Sequence, residues 1–209
     1  MGDKPMNATL IGDTLVTFTP GMPESHKQGI QDCLLYAAVF ANRGAEAGDW
    51  AWLSHYQYAL LSLGLTLRSY IVERPLLISN AHQVRDYQVQ IAGMESTQPL
   101  AQHLGAMFAA LDLERDALSY LMNPPGEARL TRYQCVPCEM TRNGEFQIFV
   151  CGLQLTCTSS RANSRLSLVQ LNAKGGSFLF EPKVYENRRT EVQQVVGDWA
   201  ATMIKEVEL

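Results

Sequence analysis

Cys135 and Cys138 have Cys-x-x-Cys spacing, and Cys151 and Cys157 follow them, so four thiolates stand close enough in sequence to suggest a tetrahedral zinc site. The local pattern argues against it. Val136 and Pro137, between the first pair, lie inside a stretch that reads as a strand, and residues three apart on a strand point to opposite faces. Cys151 and Cys157 share a face but stand about 20 Å apart at roughly 3.3 Å per residue. The expectation is therefore no metal and no cofactor, with Cys138, Cys151 and Cys157 as small apolar core residues. A redox Cys-x-x-Cys needs a helix N-terminus to lower the thiol pKa, and a strand supplies none. Cys33 lies in the apolar stripe of a helix. As a nucleophile it would need a histidine brought to it by the fold. His26 is two helical turns away, and no pattern ties His55, His82 or His103 to it.

Other catalytic signatures are missing from the sequence: no Gly-x-Ser-x-Gly elbow, phosphate-binding loop, dinucleotide glycine fingerprint or His-Glu-x-x-His. Lys174-Gly175-Gly176-Ser177 is glycine-rich but reads as a hairpin turn between two strands. Asp112, Glu114 and Asp116 crowd a helix start, where carboxylates meet the backbone N–H dipoles. What stands out is aromatic. Trp50, Trp52, Tyr56 and Tyr58 occupy one helix, and such side chains favour a boundary between oil and water. Together with Cys33 they are the candidate ligand- or partner-binding residues.

Bulk composition points the same way. Of 209 residues, 46% are hydrophobic and 18% charged, below the usual quarter or so, which leaves much apolar surface to hide within the fold or against a partner. The net charge is -4. The small basic clusters, Arg161 with Arg165 and Arg188 with Arg189, read as solvated loop charge, so nucleic acid is not an expected partner. Five cysteines without an export-signal pattern imply free thiols and a cytoplasmic protein, with non-classical export left open. No apolar run reaches the length of a membrane-spanning helix.

The elements that would position these groups divide at Asn123-Pro124-Pro125-Gly126, where two prolines and a glycine stop any helix or central strand. Residues 1–123 read as a mostly helical half with one or two strands: an extended Thr9–Thr19, a helix from Pro23 to Asn42, and an all-round apolar, central helix from Asp49 to Gly64. A strand over Leu65–Val72 and three helices follow, the first carrying Val84, Tyr87, Ile91 and Met94. Residues 127–209 read as an antiparallel meander of four strands closed by a helix capped at Asn187. A two-residue Asn143-Gly144 turn would pair Cys138 with Phe149 and put Val136, Cys138, Met140, Phe149, Cys151, Leu153, Leu155 and Cys157 on one core face. The predicted fold class is α+β, a mostly helical N-terminal half packed with a four-stranded antiparallel sheet and a C-terminal helix, the two halves forming one compact domain with a shared core.

The functional expectation is a non-enzymatic binding or assembly protein acting through apolar surface, oligomeric or part of a larger complex, with a protein partner or a second copy of itself. One alternative is a hydrophobic pocket that holds a lipid or acyl chain, in a membrane-contacting, host-interaction role. The other is a cysteine-dependent enzyme. A cavity between helices and sheet favours a ligand; a solid core favours plain protein interaction.

Overall fold

Strand alternation here serves two cores rather than one. A computed structural model describes residues 7–44, 50–85, 87–92, 98–122, 129–159 and 167–209. Its strands are β1 (Asn7–Ile11), β2 (Thr14–Phe18), β3 (Thr66–Tyr70), β4 (Leu76–Ile78), β5 (Arg129–Met140), β6 (Phe146–Ser159), β7 (Ser167–Phe180) and β8 (Ile204–Glu208). Its helices are α1 (Glu24–Gly44), α2 (Trp50–Ser62), α3 (Gln98–Ala110), α4 (Leu113–Met122) and α5 (Pro182–Met203). The strands form one 8-stranded mixed sheet in the order β3-β7-β6-β5-β2-β1-β8, with β4 also paired to β7. Only β2 and β5 run parallel among the paired strands described.

Helices cover both faces. On one side, Val16, Val136, Cys138, Ile148, Val150 and Phe178 pack against α1, α2 and α5. On the other, Leu15, Cys135, Phe149, Cys151, Leu153, Leu155 and Cys157 pack against α3 and α4. Neighbouring residues of β6 thus feed opposite cores, as strands buried on both sides must.

This corrects the four-stranded expectation. The first half of the chain is not mostly helical scaffolding beside a separate sheet; it supplies four of the strands, and β2 joins β5 directly. The double-proline break lies outside the described residues. A final strand, β8, follows the last helix and pairs with β1, because Val207 belongs to a period-2 segment and not to the helical stripe it extends in sequence. That helix also begins earlier than Asn187: Pro182, pre-set for the first helical turn, starts α5.

Three further expectations change. Lys174-Gly175-Gly176 is not a turn; β7 runs straight through it. A Cβ on Gly175 would stand 1.9 Å from the Val150 carbonyl oxygen, and its φ of +142° is one that side chains rarely adopt. The glycine permits close strand approach rather than reversal. The helix expected after Asn80 is a single 3-10 turn, Ala81–Val84, capped by Asn80 and Gln83. Beyond it Tyr87, Val89 and Ile91 pack on the core at every second residue, and Ile91 bridges Ile71. The β5–β6 connection has three residues, not two: Gly144 N–H donates to the Thr141 carbonyl at 2.9 Å, and Thr141 N–H to the Glu145 carbonyl at 2.8 Å. Gly144 takes the left-handed conformation of a bulged three-residue hairpin, with φ +78°. Cys138 therefore pairs with Ile148 rather than Phe149, and the single core face expected for this hairpin splits between the two cores.

Glycine substitutions test this reading of the backbone. Gly175→Ala is expected to destabilise by about 3 kcal/mol or more, from strain plus a backbone clash. Gly105→Ala, exposed in α3 with open space at its Cβ position, should stabilise by about 0.5–1 kcal/mol. Urea unfolding of both variants measures the two signs.

Candidate functional site

A pocket of about 490 Å³ opens on the α1/α2 side of the sheet. This lies within the usual range for small-molecule sites, roughly 300–1,000 Å³. Trp50, Trp52 and Leu53 of α2, Ala38 and Asn42 of α1, and Met203 at the end of α5 line it, with Ile11 to Thr14 from the first hairpin. Leu130 to Gln134 of β5 and Gly152 and Leu153 of β6 complete the lining. Asp13, Asn42 and Leu130 are exposed, while Leu53 and Gln134 are buried.

The walls and floor differ in kind. Trp52 is held by an indole N–H donated to Asn42 Oδ1 at 2.7 Å and by stacking on Tyr56, with ring centroids 5.1 Å apart. Lys174 Nζ sits 5.2 Å from the centre of the Trp50 ring, a cation–π distance, and 3.2 Å from Glu73. The close approach of α2 needs Gly152, where a Cβ would come within 2.9 Å of Leu53 and 3.4 Å of Trp50.

Strand register builds a polar floor. Gln134, Gly152 and Lys174 align across β5, β6 and β7, and the next row is Arg132, Gln154 and Asn172. Further along the same strands the rows are apolar: Cys138, Ile148 and Phe178, then Met140, Phe146 and Phe180. Gln134 is only 7% exposed, and its Nε2 has no hydrogen-bond partner among the described residues. An unmatched buried donor costs about 1–3 kcal/mol, which makes this amide an expensive group to keep in a core.

The sequence candidates divide. Trp50 and Trp52 come together in the pocket wall. Tyr56 is fully buried behind Trp52, its phenol pushed far above the ordinary range by burial first and by the neighbouring Cys138 and Cys33 thiols. Tyr58 is 62% exposed and faces away beside Phe40, 6.1 Å between rings, so α2 is not the all-round buried helix its composition suggests. Cys33 lies in the core and does not line the pocket. Arg132, Gln134 and Gly152 were not among the sequence candidates. Their signal is a switch from apolar to polar residues on one strand face, visible only once three strands are in register.

The thiols are poor nucleophiles. All five cysteines are free and buried. Burial raises the Cys33 thiol, with help from the Asp32 charge, and raises Cys135 and Cys138; it pushes Cys151 up to about 12. Cys135 and Cys138 serve different cores, and among the described residues no three His, Cys, Asp or Glu side chains are grouped to hold a metal. His103 is likewise structural. It is buried on the far side of the sheet, its Nδ1 3.0 Å from Thr17 Oγ1, whose hydroxyl donates to Met107 Sδ at 3.4 Å.

No family model matches this chain, and no curated protein matches it. Among solved structures, one described as "Structure of the Evf virulence factor" is similar at 12% identity and a TM-score of 0.45, over 91% of this chain and 82% of that one. A likeness of that degree supports no inference about this chain's role.

Two outcomes follow from these buried groups. With 5,5′-dithiobis(2-nitrobenzoate) at neutral pH, every cysteine of the native protein should react on the order of a hundredfold or more slower than a free thiol, and all should react freely in denaturant. Burial lowers the His103 pKa from 6.5, so the folded state resists its protonation. Its contribution is fully present above the unfolded value and shrinks as pH falls from 6.5 to the lowered folded value. The difference in unfolding free energy between wild type and His103→Gln should change with pH across that window, and only there.

Proposed function

We propose that this protein is a non-catalytic binding protein whose occupant is a small amphiphilic molecule seated between α2 and the sheet. The observation that carries the reading is the 490 Å³ pocket walled by Trp50 and Trp52 over a polar floor. Apolar walls with a few placed polar groups are the usual make-up of a ligand site. The high thiol pKa values speak against cysteine chemistry, since the thiolate is the nucleophile. Free buried thiols suit a reducing compartment such as the cytoplasm. No helix among the described residues is long and apolar enough to cross a membrane.

Self-association through apolar surface is a second reading, favoured by Tyr58 at 62% and Leu61 at 43% exposure on the outer side of α2. These residues lie apart from the pocket lining, so the two readings are separable.

The neutral fluorophore N-phenyl-1-naphthylamine provides the test. Binding should raise its emission and quench tryptophan. Trp50→Ala should weaken binding about tenfold, the loss of one aromatic wall contact of about 1.4 kcal/mol. Gly152→Val should weaken it at least as much by driving Leu53 and Trp50 into the space, while Tyr58→Ala leaves it unchanged. Binding lost in Tyr58→Ala but kept in Trp50→Ala, with a concentration-dependent mass by light scattering, would replace the pocket by the outer face of α2.

A further inference from the structure

Gln134 places a neutral donor where the described residues give it nothing to donate to. It lines the pocket, is 7% exposed, and its Nε2 has no hydrogen-bond partner among the described residues. Its ladder neighbours are Thr14 on β2 and Gly152 on β6. Gly152 brings no side chain, and Thr14, although it also lines the pocket, does not accept from the amide. Of the wall residues, Trp50 and Trp52 have side chains that only donate, and Leu53 neither donates nor accepts. Two residues further along the same face of β5, Val136 fills the α1/α2 core, so the strand accommodates an apolar side chain on this face. Neither nearby cation requires an anion. Lys174 is paired with Glu73 at 3.2 Å, and Arg132 has a partner of its own. Stripping water from a charge at so buried a position costs far more than stripping it from a neutral group.

From this arrangement we infer that the occupant carries an uncharged amide whose carbonyl accepts from Gln134 Nε2, and that Gln134 is the residue that selects this head group. The inference rests on the pocket reading above and adds the chemical class of the head. An amide carbonyl supplies the missing acceptor without a charge, and its own N–H returns a hydrogen bond to the Gln134 carbonyl oxygen, two bonds from Nε2. An ammonium head offers donors alone and leaves Nε2 unmatched. A carboxylate accepts, but only by surrendering its hydration to the site.

Three probes share a body and differ in the charge of the head: 4-phenylbutanamide, 4-phenylbutyrate and 4-phenylbutylamine, each titrated at neutral pH as a competitor of N-phenyl-1-naphthylamine. The amide should displace the fluorophore at least tenfold better than either ion. Gln134→Leu should weaken the amide about tenfold and leave the fluorophore within about threefold. The same variant should unfold at a higher urea concentration than wild type, because it removes a buried donor that has no partner. The wild-type protein gives a readout free of any substitution: the Gln134 side-chain amide resonance should move with 4-phenylbutanamide and stay with the amine. An ion as tight as the amide, no displacement by any of the three, amide binding indifferent to Gln134→Leu, an unmoved resonance, or a lowered urea midpoint would each overturn the amide assignment, and fluorophore binding that persists would leave the pocket reading standing. No binding of the three probes or of the fluorophore would overturn both.

Discussion

The hydrogen-bonded turn between Thr141 and Glu145 fixes more than a hairpin tip. A strand with one apolar face resists slipping by a residue, because the slip would expose that face. β6 has no such protection over Ile148 to Cys151, where both faces are apolar and both are buried. Side-chain hydrophobicity cannot choose between adjacent registers there. The choice falls to the turn, and Gly144, by taking the left-handed conformation, makes the loop three residues long. From that point the β5–β6 and β6–β7 ladders hold one register, skipping only Val136 and Pro137, whose ring nitrogen has no hydrogen to donate. The rows that carry Gln134 and Arg132 toward α2 are set by a turn at the opposite end of the hairpin. A slip of one residue would bring them to the α3/α4 side.

The helical layer over that face is tied by polar contacts as well as by packing. Tyr185 of α5 donates its hydroxyl to Asp32 Oδ2 at 2.6 Å, and Gln28 donates to Asp32 Oδ1 at 2.9 Å. Both oxygens of a buried carboxylate are thereby matched, and the Tyr185 phenol is raised by burial and by this bond. A matched buried group is directional in a way that leucine packing is not, so α1 and α5 are fixed in rotation. α2 is fixed differently, through the missing side chain of Gly152 and the bond from Trp52 to Asn42 of α1. On the other face Tyr133 reaches Asp116 of α4, and Tyr120 meets Thr131 at 2.6 Å. The phenols thus act as struts from helix to sheet or helix to helix, which accounts for much of the polar content of an interior otherwise rich in aliphatic groups.

How far the sequence discloses this depends on whether a signal is local. The extended character of Thr9–Thr19 and the helices α1, α3 and α4 follow from period and punctuation and stand close to where those place them. Local signals mislead where two structures share one signature. Gly175-Gly176 between polar residues resembles a turn, yet the glycines are there because Val150 of β6 and Ser69 of β3 press on the backbone. Val207 continues the helical stripe of Val192 and Val196 but belongs to β8, since strand and helix periods coincide over a few residues. Trp50 and Trp52, singled out by type, line the pocket, whereas Tyr58, about two turns further on, differs from them only in which way the helix turns it. Arg132 and Gln134 were not legible, because a polar residue in a strand is ordinary until its cross-strand neighbours are known.

Several departures from core-building rules meet at the Trp50 end of the α1/α2 face. Toward the hairpin tip the α1/α2 face of β5, β6 and β7 is apolar, with Val136, Cys138, Ile148, Val150 and Phe178 in the core. At the Trp50 end it holds a glycine inside a strand, a buried glutamine whose donor is unmatched among the described residues, an arginine and a lysine against an indole ring. The glycine and the glutamine are unfavourable for folding taken singly, through backbone freedom and desolvation. Selection for stability alone would scatter such residues or replace them with valine, as the adjoining rows of the same strands show can be done. Sequences depart from local rules together where function requires it. An aromatic wall over polar strand residues, next to a core that needs neither, is the arrangement that the proposed amphiphilic occupant would complete.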